Sequence, residues 1–563
     1  MSDKYFKQEN RLAVVQISRI QHRRGQKNTG SGLPQLASGE LGWAIDTREL
    51  YIGNGSVSEG APAVGNTKIL TEFDNIFAVA STYTYRQDDG SLLTGPNSSS
   101  PVERNLQQRL DDRVSVRAFG ARGDGSGDDT AALQRAIDQL YLNTDKATPK
   151  SRVVLHVEAG TYNLSDTLYI PPYATIKGAG SGKTVFKQVS SVPVAIQTVN
   201  AFSTPGNYFN FADDDAYGDN TSLQNQTQNI LFEGLTIELF DNSKAMVLEN
   251  CVHSVFRDIA VKGTWEVSDS VVNDNIGLEI TSLSSVVESK NNAFEDCAFT
   301  GFSYAVKSDY DIDNHVFDNC LFNLCGFGIV FGQGTIIGNP GQATGPVNNT
   351  IKNTTFRDIN QQAIWVIQGK YNVSENNVFE LVGNMAGSDL TPSTHIVQFD
   401  TKTNKSIGDY FSRTAVLISG AASSTVPYIS EIGGAADYEL HFENEVDFGR
   451  QTVAQRIFRL PGIINQSYEI DYMMVTDSKF TRKGTLSLVT YEPDNSVQIY
   501  DEYFYVGEED NNNLEAVEFE AQLRDHSSSG GFDTIDVKAT SDLQVNDRTY
   551  MTFMIKAHRS DII

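Results

Sequence analysis

A pattern that returns six times between positions 229 and 383, at a spacing near 23 residues, limits the fold of this 563-residue chain more than any other feature. The strings are NILFEGLTI, HSVFRDIAV, NNAFEDCAF, NHVFDNCLF, NNTIKNTTF and NVSENNVF. Each ends on an apolar residue: Ile237, Val261, Phe299, Phe322, Phe356 and Phe379. Phe299 to Phe322 and Phe356 to Phe379 are both 23 residues apart, and Ile237 to Val261 is 24. A fixed period of this length means one small unit per repeat, stacked so that neighbours bury each other's apolar faces. Strand-like units stacked in this way make a parallel β-helix. Equivalent residues then lie about 4.8 Å apart, which turns the phenylalanines into an interior column. The longer gaps of 38 and 34 residues fit one coil plus a loop of roughly 11 to 15, since insertions leave the stack without disturbing its register.

Cys297, Cys320, Thr354 and Asn377 share one repeat position, while Asn319, Asn353 and Asn376 share another between inward positions. The amides of the second group are expected to bond to one another and to turn backbone. Four cysteines (Cys251, Cys297, Cys320 and Cys325) set no disulfide framework in so long a chain. Their apolar surroundings predict buried free thiols and no zinc site.

Four segments emerge along the chain. Residues 1–80 hold short β-like runs punctuated by glycine, LAVVQISRIQHRRGQ and LPQLASGELGWAIDTRELYIGNG. Residues 81–112 begin as a polar linker and continue as VERNLQQRLDDRV, where Val102, Leu106, Leu110 and Val114 recur every four residues. A helix of about 12 residues is marginal alone, so this stripe needs cover. Either identical stripes from neighbouring chains supply it, making Leu106 and Leu110 a trimer neck, or the next domain does. Residues 113–405 carry the solenoid. Residues 406–563 alternate apolar and polar residues at period two between turns such as Pro493-Asp494-Asn495, the pattern of an antiparallel β-sandwich. The fold class is mainly β.

The 44 Lys+Arg against 71 Asp+Glu give a net charge of −27, which repels a phosphate backbone and argues against nucleic acid as a partner. No apolar run suits a signal peptide or a membrane span, so synthesis in a cytoplasm is expected.

Two strings resemble known families. Arg23-Arg24-Gly25, Gly39-Glu40-Leu41-Gly42, Asp46-Thr47 and Leu50-Tyr51-Ile52-Gly53-Asn54-Gly55 are similar to the N-terminal attachment domain of phage tail fibres and receptor-binding proteins. The likeness covers about 50 residues, and the same glycines also serve tight turns. VSVRAFGARGDGSGDDTAALQRAIDQL (Val114 to Leu140) resembles the entry of the pectate-lyase-like superfamily as found in phage tail spikes. Asp128 or Asp129 can cap the helix that starts near Thr130, with Leu133, Ala136 and Ile137 on its buried stripe, so this acidic motif reads as a cap and not an active site. The resemblance implies a right-handed β-helix, a homotrimer attached to a virion tail or baseplate, a bacterial surface polysaccharide as ligand, and a C-terminal sandwich (residues 406–563) that trimerises or binds glycan. Enzymes of the superfamily cleave polysaccharides, yet none of their catalytic motifs matches here residue by residue.

Candidate site residues come from the coil register. Glu233, Arg257, Glu295, Asp318, Lys352 and Glu375 each follow the first inward position and therefore point outward. Glu295 stacked on Asp318 is either a carboxylate pair near the spacing of a retaining glycosidase or two rungs of a charge ladder flanked by Arg257 and Lys352. On the next strand Lys307, Val330 and Trp365 fall in one outward column. Trp365, with Lys307 nearby, is either a platform for a sugar ring or a contact with a neighbouring subunit, and both require exposure. Asp309, Asp311 and Asp313 begin like a calcium loop but lack its glycine turn and late glutamate. No metal or cofactor is expected.

Overall fold

Each repeat is one coil of a right-handed parallel β-helix, and its corners are set by residues in the left-handed region of backbone space. In the computed structural model the described residues are 23–27, 35–55, 58, 65–71, 112–142, 153–208, 226–266, 271, 273–282, 287–334, 345–382, 396–399, 403–412, 432–434, 437–442, 451–461, 466–476, 481–491, 496–506, 517–524, 534–541 and 549–559. The expected linker and the neck residues Leu106 and Leu110 lie outside them. Two compact units divide at Asp112 and Arg113.

The first unit holds a sheet of four strands, Arg23–Gly25, Leu41–Ala44, Glu49–Gly53 and Asn66–Ile69, with Leu36, Ala44 and Tyr51 as its core. Glu49 ties it together. Its carboxylate accepts from Lys27 and Lys68 (both 2.8 Å) and from the Tyr51 hydroxyl (2.7 Å), and these hydrogen bonds hold its pKa well below the usual carboxylate range. At Gly53 a Cβ would lie 2.1 Å from the Ala37 carbonyl oxygen, so the Tyr-Ile-Gly turn has no room for a side chain.

In the second unit the coils present three strand faces. Ala293–Glu295, Val316–Asp318, Thr350–Lys352 and Val373–Glu375 pair in parallel on the first. Ala298–Thr300, Leu321–Cys325, Thr355–Ile359 and Val378–Glu380 do so on the second. The third is a nine-stranded sheet that runs from Leu168–Ile170 to Ile432–Gly434. Two phenylalanine columns fill the interior. Phe299, Phe322, Phe356 and Phe379 stack with ring centroids 5.2, 4.8 and 5.1 Å apart, and Phe256, Phe294 and Phe317 stack at 5.2 and 4.5 Å. The column predicted from the 23-residue spacing is therefore core.

Asp296, Asn319, Asn353 and Asn376 form the corner between the first two faces, at φ values of 56, 53, 52 and 53°. Short polar side chains tolerate this conformation better than other non-glycine residues do. The expectation for the asparagine column needs correcting here, because these side chains are exposed and two of them, Asn319 and Asn353, bond to carboxylates. Asn319 Nδ2 donates to Asp296 (2.6 Å) and Asn353 Nδ2 to Asp318 (2.8 Å). The buried amide ladder lies elsewhere. Asn349 Nδ2 donates to Asn372 Oδ1 (2.8 Å), and Asn372 Nδ2 to Asn404 Oδ1 (2.9 Å), each oxygen also accepting a backbone N–H from the preceding coil.

His315 occupies the next rung of that ladder and interrupts it. Its backbone N–H reaches Asn349 Oδ1 (2.9 Å), but neither ring nitrogen makes a hydrogen bond of good geometry. Burial pushes the imidazole down to about 4, outweighing the opposing pull of the Ser289 and Asn292 backbone. Beneath Asn377 sits a second buried ionisable group, Asp409. It accepts from Ser374 and Ser406 hydroxyls (both 2.5 Å) and from the Asn377 N–H (2.9 Å), yet burial still pushes it up to about 6. The four cysteines are free and buried.

Both ends of the solenoid are covered. At the entry, the helix Thr130–Ile137 buries Leu133, Ala136 and Ile137. Asp128 caps it by accepting from Thr130 N–H (3.0 Å), while Asp129 turns back to take the Arg122 and Gly123 N–H groups of the Gly-Asp-Gly loop (2.7 and 3.2 Å). At the exit, the last coil strand Lys405–Ser412 pairs in parallel with Asp437–Phe442, whose other edge pairs antiparallel with Thr549–Arg559. That strand continues through Gln466–Thr476 and Thr481–Tyr491 to Ser496–Val506. A second sheet of Gln451–Pro461, Thr534–Ser541 and Glu518–Arg524 shares its core, with Ile457, Ile470, Leu486 and Val537 buried between the two. The expected β-sandwich is thus present.

Candidate functional site

Strand register fixes what the outer surface of the first face presents. Lys177, Glu233, Arg257, Glu295, Asp318, Lys352 and Glu375 are consecutive partners along one column. Lys177 pairs with Glu233 (2.7 Å), Arg257 with Glu295 (2.5 Å) and Lys352 with Asp318 (3.2 Å). Glu295 and Asp318 are therefore neighbours on stacked coils, but each turns to a cation on its far side. Asn353 takes the other Asp318 oxygen. Exposed pairs of this kind add only about 0–1 kcal/mol each, so the ladder shapes surface charge more than stability.

The third face is built differently. Its outward column runs Glu279, Lys307, Val330, Trp365 and Gln398, in the alignment expected from the repeats. Beside it Ile276, Tyr304 and Phe327 form a second column. The rings of Tyr304 and Phe327 stack at 4.8 Å, Phe327 lies 6.4 Å from Trp365, and the Lys307 ammonium sits 5.4 Å over Tyr304. Together with Val330 they make an apolar cluster on the outside of the solenoid. Trp365 is half-buried in it, not exposed as a lone platform, and Val330 is fully buried. Burial here comes from outside the coil, which inward–outward alternation cannot reveal.

Polar groups are stranded around this cluster. Trp365 Nε1, Gln333 Oε1 and Gln362 Oε1 are shielded from solvent and make no hydrogen bond. Their other ends are held: Gln362 Nε2 donates to Gln398 (3.1 Å), and Gln333 Nε2 approaches the Tyr304 hydroxyl at 3.5 Å. Leaving such groups unmatched costs about 1–3 kcal/mol each. The indole of half-buried Trp365 is the aromatic ring of this cluster that solvent reaches, whereas the Tyr304 and Phe327 rings are buried and pack behind it. Sequence reasoning found Lys307 and Trp365 but missed Tyr304, Phe327, Gln333 and Gln362. The 23-residue step from Tyr304 to Phe327 was the available signal.

Asp309 accepts the Ser282 N–H (3.1 Å), and Ser282 Oγ donates to the Asp311 carbonyl, so this acidic run ties its turn to the preceding coil. Among the described residues no group of three or more His, Cys, Asp or Glu side chains is placed to hold a metal, and no helix is long and apolar enough to cross a membrane.

Comparison with known proteins follows this geometry. Residues 113–389, most of the solenoid, match the family model for rhamnogalacturonase A/epimerase, pectate lyase-like. Residues 20–57 match the major tropism determinant N-terminal domain. The resemblance read from the two motif strings is borne out by these matches. Similar solved structures include ORF18 of Geobacillus virus E2 (15% identity, 83% of this chain and 86% of that one, TM-score 0.44). Tailspike protein 3 of bacteriophage CBA120 is another (13% identity, 75% and 76%, TM-score 0.39). A glucan 1,3-beta-glucosidase of Cochliobolus carbonum is 36% identical over 87 residues, which is 14% of this chain. The chain spans 10% or less of the length of the curated relatives it matches.

Proposed function

We propose that this chain is a subunit of a homotrimeric bacteriophage tail spike or tail fibre that binds bacterial surface polysaccharide during host adsorption. Residues 1–80 attach it to the tail or baseplate, Leu106 and Leu110 gather three chains at the neck, and the solenoid with its C-terminal sandwich meets the glycan. The protein is assembled in the host cytoplasm and resides in the virion tail. The observation that carries the binding role is the half-buried indole of Trp365 in the outward column of the third face, backed by the buried Tyr304 and Phe327 rings. Lys307 at its rim suits an anionic sugar.

Binding of purified capsule or lipopolysaccharide to immobilised full-length protein tests this. Trp365→Ala should weaken it about tenfold, the equivalent of roughly 1.4 kcal/mol, with unchanged circular dichroism. Unaltered affinity would remove Trp365 from the site.

A second reading is a polysaccharide depolymerase on the same scaffold, supported by Glu295 stacking directly on Asp318. In that case incubation with the polysaccharide releases new reducing ends or unsaturated-uronate absorbance. Glu295→Gln and Asp318→Asn should each abolish the release. Intact polysaccharide after prolonged incubation sinks this reading and leaves binding.

A further inference from the structure

Strand Ser496–Val506 closes one side of the larger C-terminal sheet, and among the described residues it pairs only with Thr481–Tyr491. Tyr500, Phe504 and Val506 project from its outer face at 67, 64 and 69% exposure. Register places Phe504 beside Lys483 and Lys483 beside Met473, so exposed Met473 and Val489 extend the patch across the sheet. The rings of Tyr503 and Tyr505 reach solvent around the strand edge.

This row is held rigidly from behind. Fully buried Arg482 stacks its guanidinium 3.5 Å over the Tyr503 ring, pairs with Asp501 and donates to the Tyr472 hydroxyl (2.9 Å) and the Val517 carbonyl (2.8 Å). Edge strands of soluble proteins are ordinarily protected by lysine, proline or a bulge, and this one carries no lysine, no proline and an unbroken register along all its pairs. From residue sizes and exposures the apolar side chains offer roughly 700 Å², close to the ~800 Å² per partner of a stable interface.

We infer that the Tyr500–Val506 edge is a contact between copies of this chain. This rests on the self-association proposed above and adds where the copies touch. Charge favours a second copy as occupant. The chain carries −27, so two copies repel, yet on this face Lys483 lies one row from the carboxylates Glu502 and Asp471 and offers a cation to meet a carboxylate of the next copy. Its aliphatic part, Val489, Val506 and Met473, has nothing to offer sugar hydroxyls.

Native mass and sedimentation of the full chain from nanomolar to micromolar concentration test it, with Tyr500→Ser/Phe504→Ser as the variant. Wild type should exceed the single-chain mass of 61.9 kDa, and the variant should dissociate at a concentration at least 100-fold higher with its circular dichroism intact. Hydrogen exchange on wild type reads the same contact without a substitution: amides of Ser496–Val506 should slow at high concentration, which decides the matter should the variant fail to fold. A wild type that stays monomeric throughout overturns both this contact and the proposed trimer. A multimer whose stability the variant leaves unchanged, with no slowing at Ser496–Val506, overturns the contact and spares the trimer. A variant that stays multimeric but loses polysaccharide binding assigns the edge to glycan and overturns the contact equally.

Discussion

Phe322→Ala should lower the unfolding free energy of the β-helix by about 3–5 kcal/mol, the range seen when a buried aromatic is truncated in a core that cannot collapse around the gap. Phe322 is wholly buried and lies between Phe299 and Phe356 at centroid distances of 5.2 and 4.8 Å. Strand spacing fixes the coils above and below, so neither ring can move in to fill the space. A solenoid also has no distant contacts to share the loss, because each coil touches only its neighbours. Urea unfolding followed by circular dichroism gives the number. Arg357→Ala provides the contrast, since its exposed pair with Glu380 contributes only about 0–1 kcal/mol. A Phe322→Ala loss no larger than that of Arg357→Ala would mean that the stack is not what holds the coils together.

The second large effect is a pair of opposing pH dependences. His315 titrates near 4 in the folded chain and near 6.5 when unfolded, so its contribution is fully present above 6.5 and is lost as pH falls through 4. Asp409 is held near 6 when folded against 3.8 unfolded, so its contribution is fully present below 3.8 and is lost as pH rises through 6. Each spans about 3 kcal/mol, and between pH 4 and 6 the two slopes nearly cancel. Single variants unmask them. Relative to wild type, His315→Asn should grow less stable as pH rises from 4 to 6, because only Asp409 is left titrating. Asp409→Asn should show the reverse slope. Urea midpoints at closely spaced pH values measure both, and variant profiles parallel to wild type would show that neither group is shielded as described.

The phenylalanine stack was legible because an interior column repeats one residue type, at 23, 34 and 23 residues from Phe299 to Phe379. The asparagines were harder. Asn319, Asn353 and Asn376 repeat as cleanly as the buried ladder, but residue type does not separate a corner with positive φ from an interior amide. The true ladder of Asn349, Asn372 and Asn404 is also interrupted by His315, which breaks the pattern a reader would follow. Stacking of Glu295 on Asp318 followed from register alone, whereas their choice of Arg257 and Lys352 depends on how long side chains turn. Trp365 was placed in the right column and given the wrong surroundings, since the cluster around it is made by two columns at once.

The parallel handover from Lys405–Ser412 to Asp437–Phe442 has a consequence for synthesis. Asp437–Phe442 gains its second neighbour only from Thr549–Arg559, more than 100 residues later in the chain. While the ribosome is still making the sandwich, the finished coils end in a strand with one bare edge, able to recruit the equivalent strand of another nascent chain. Coils can add one by one as they emerge, but the end of the stack is sealed only when nearly all of the chain is out. Misassembly of this protein therefore has a definite time window, and it closes with Thr549–Arg559.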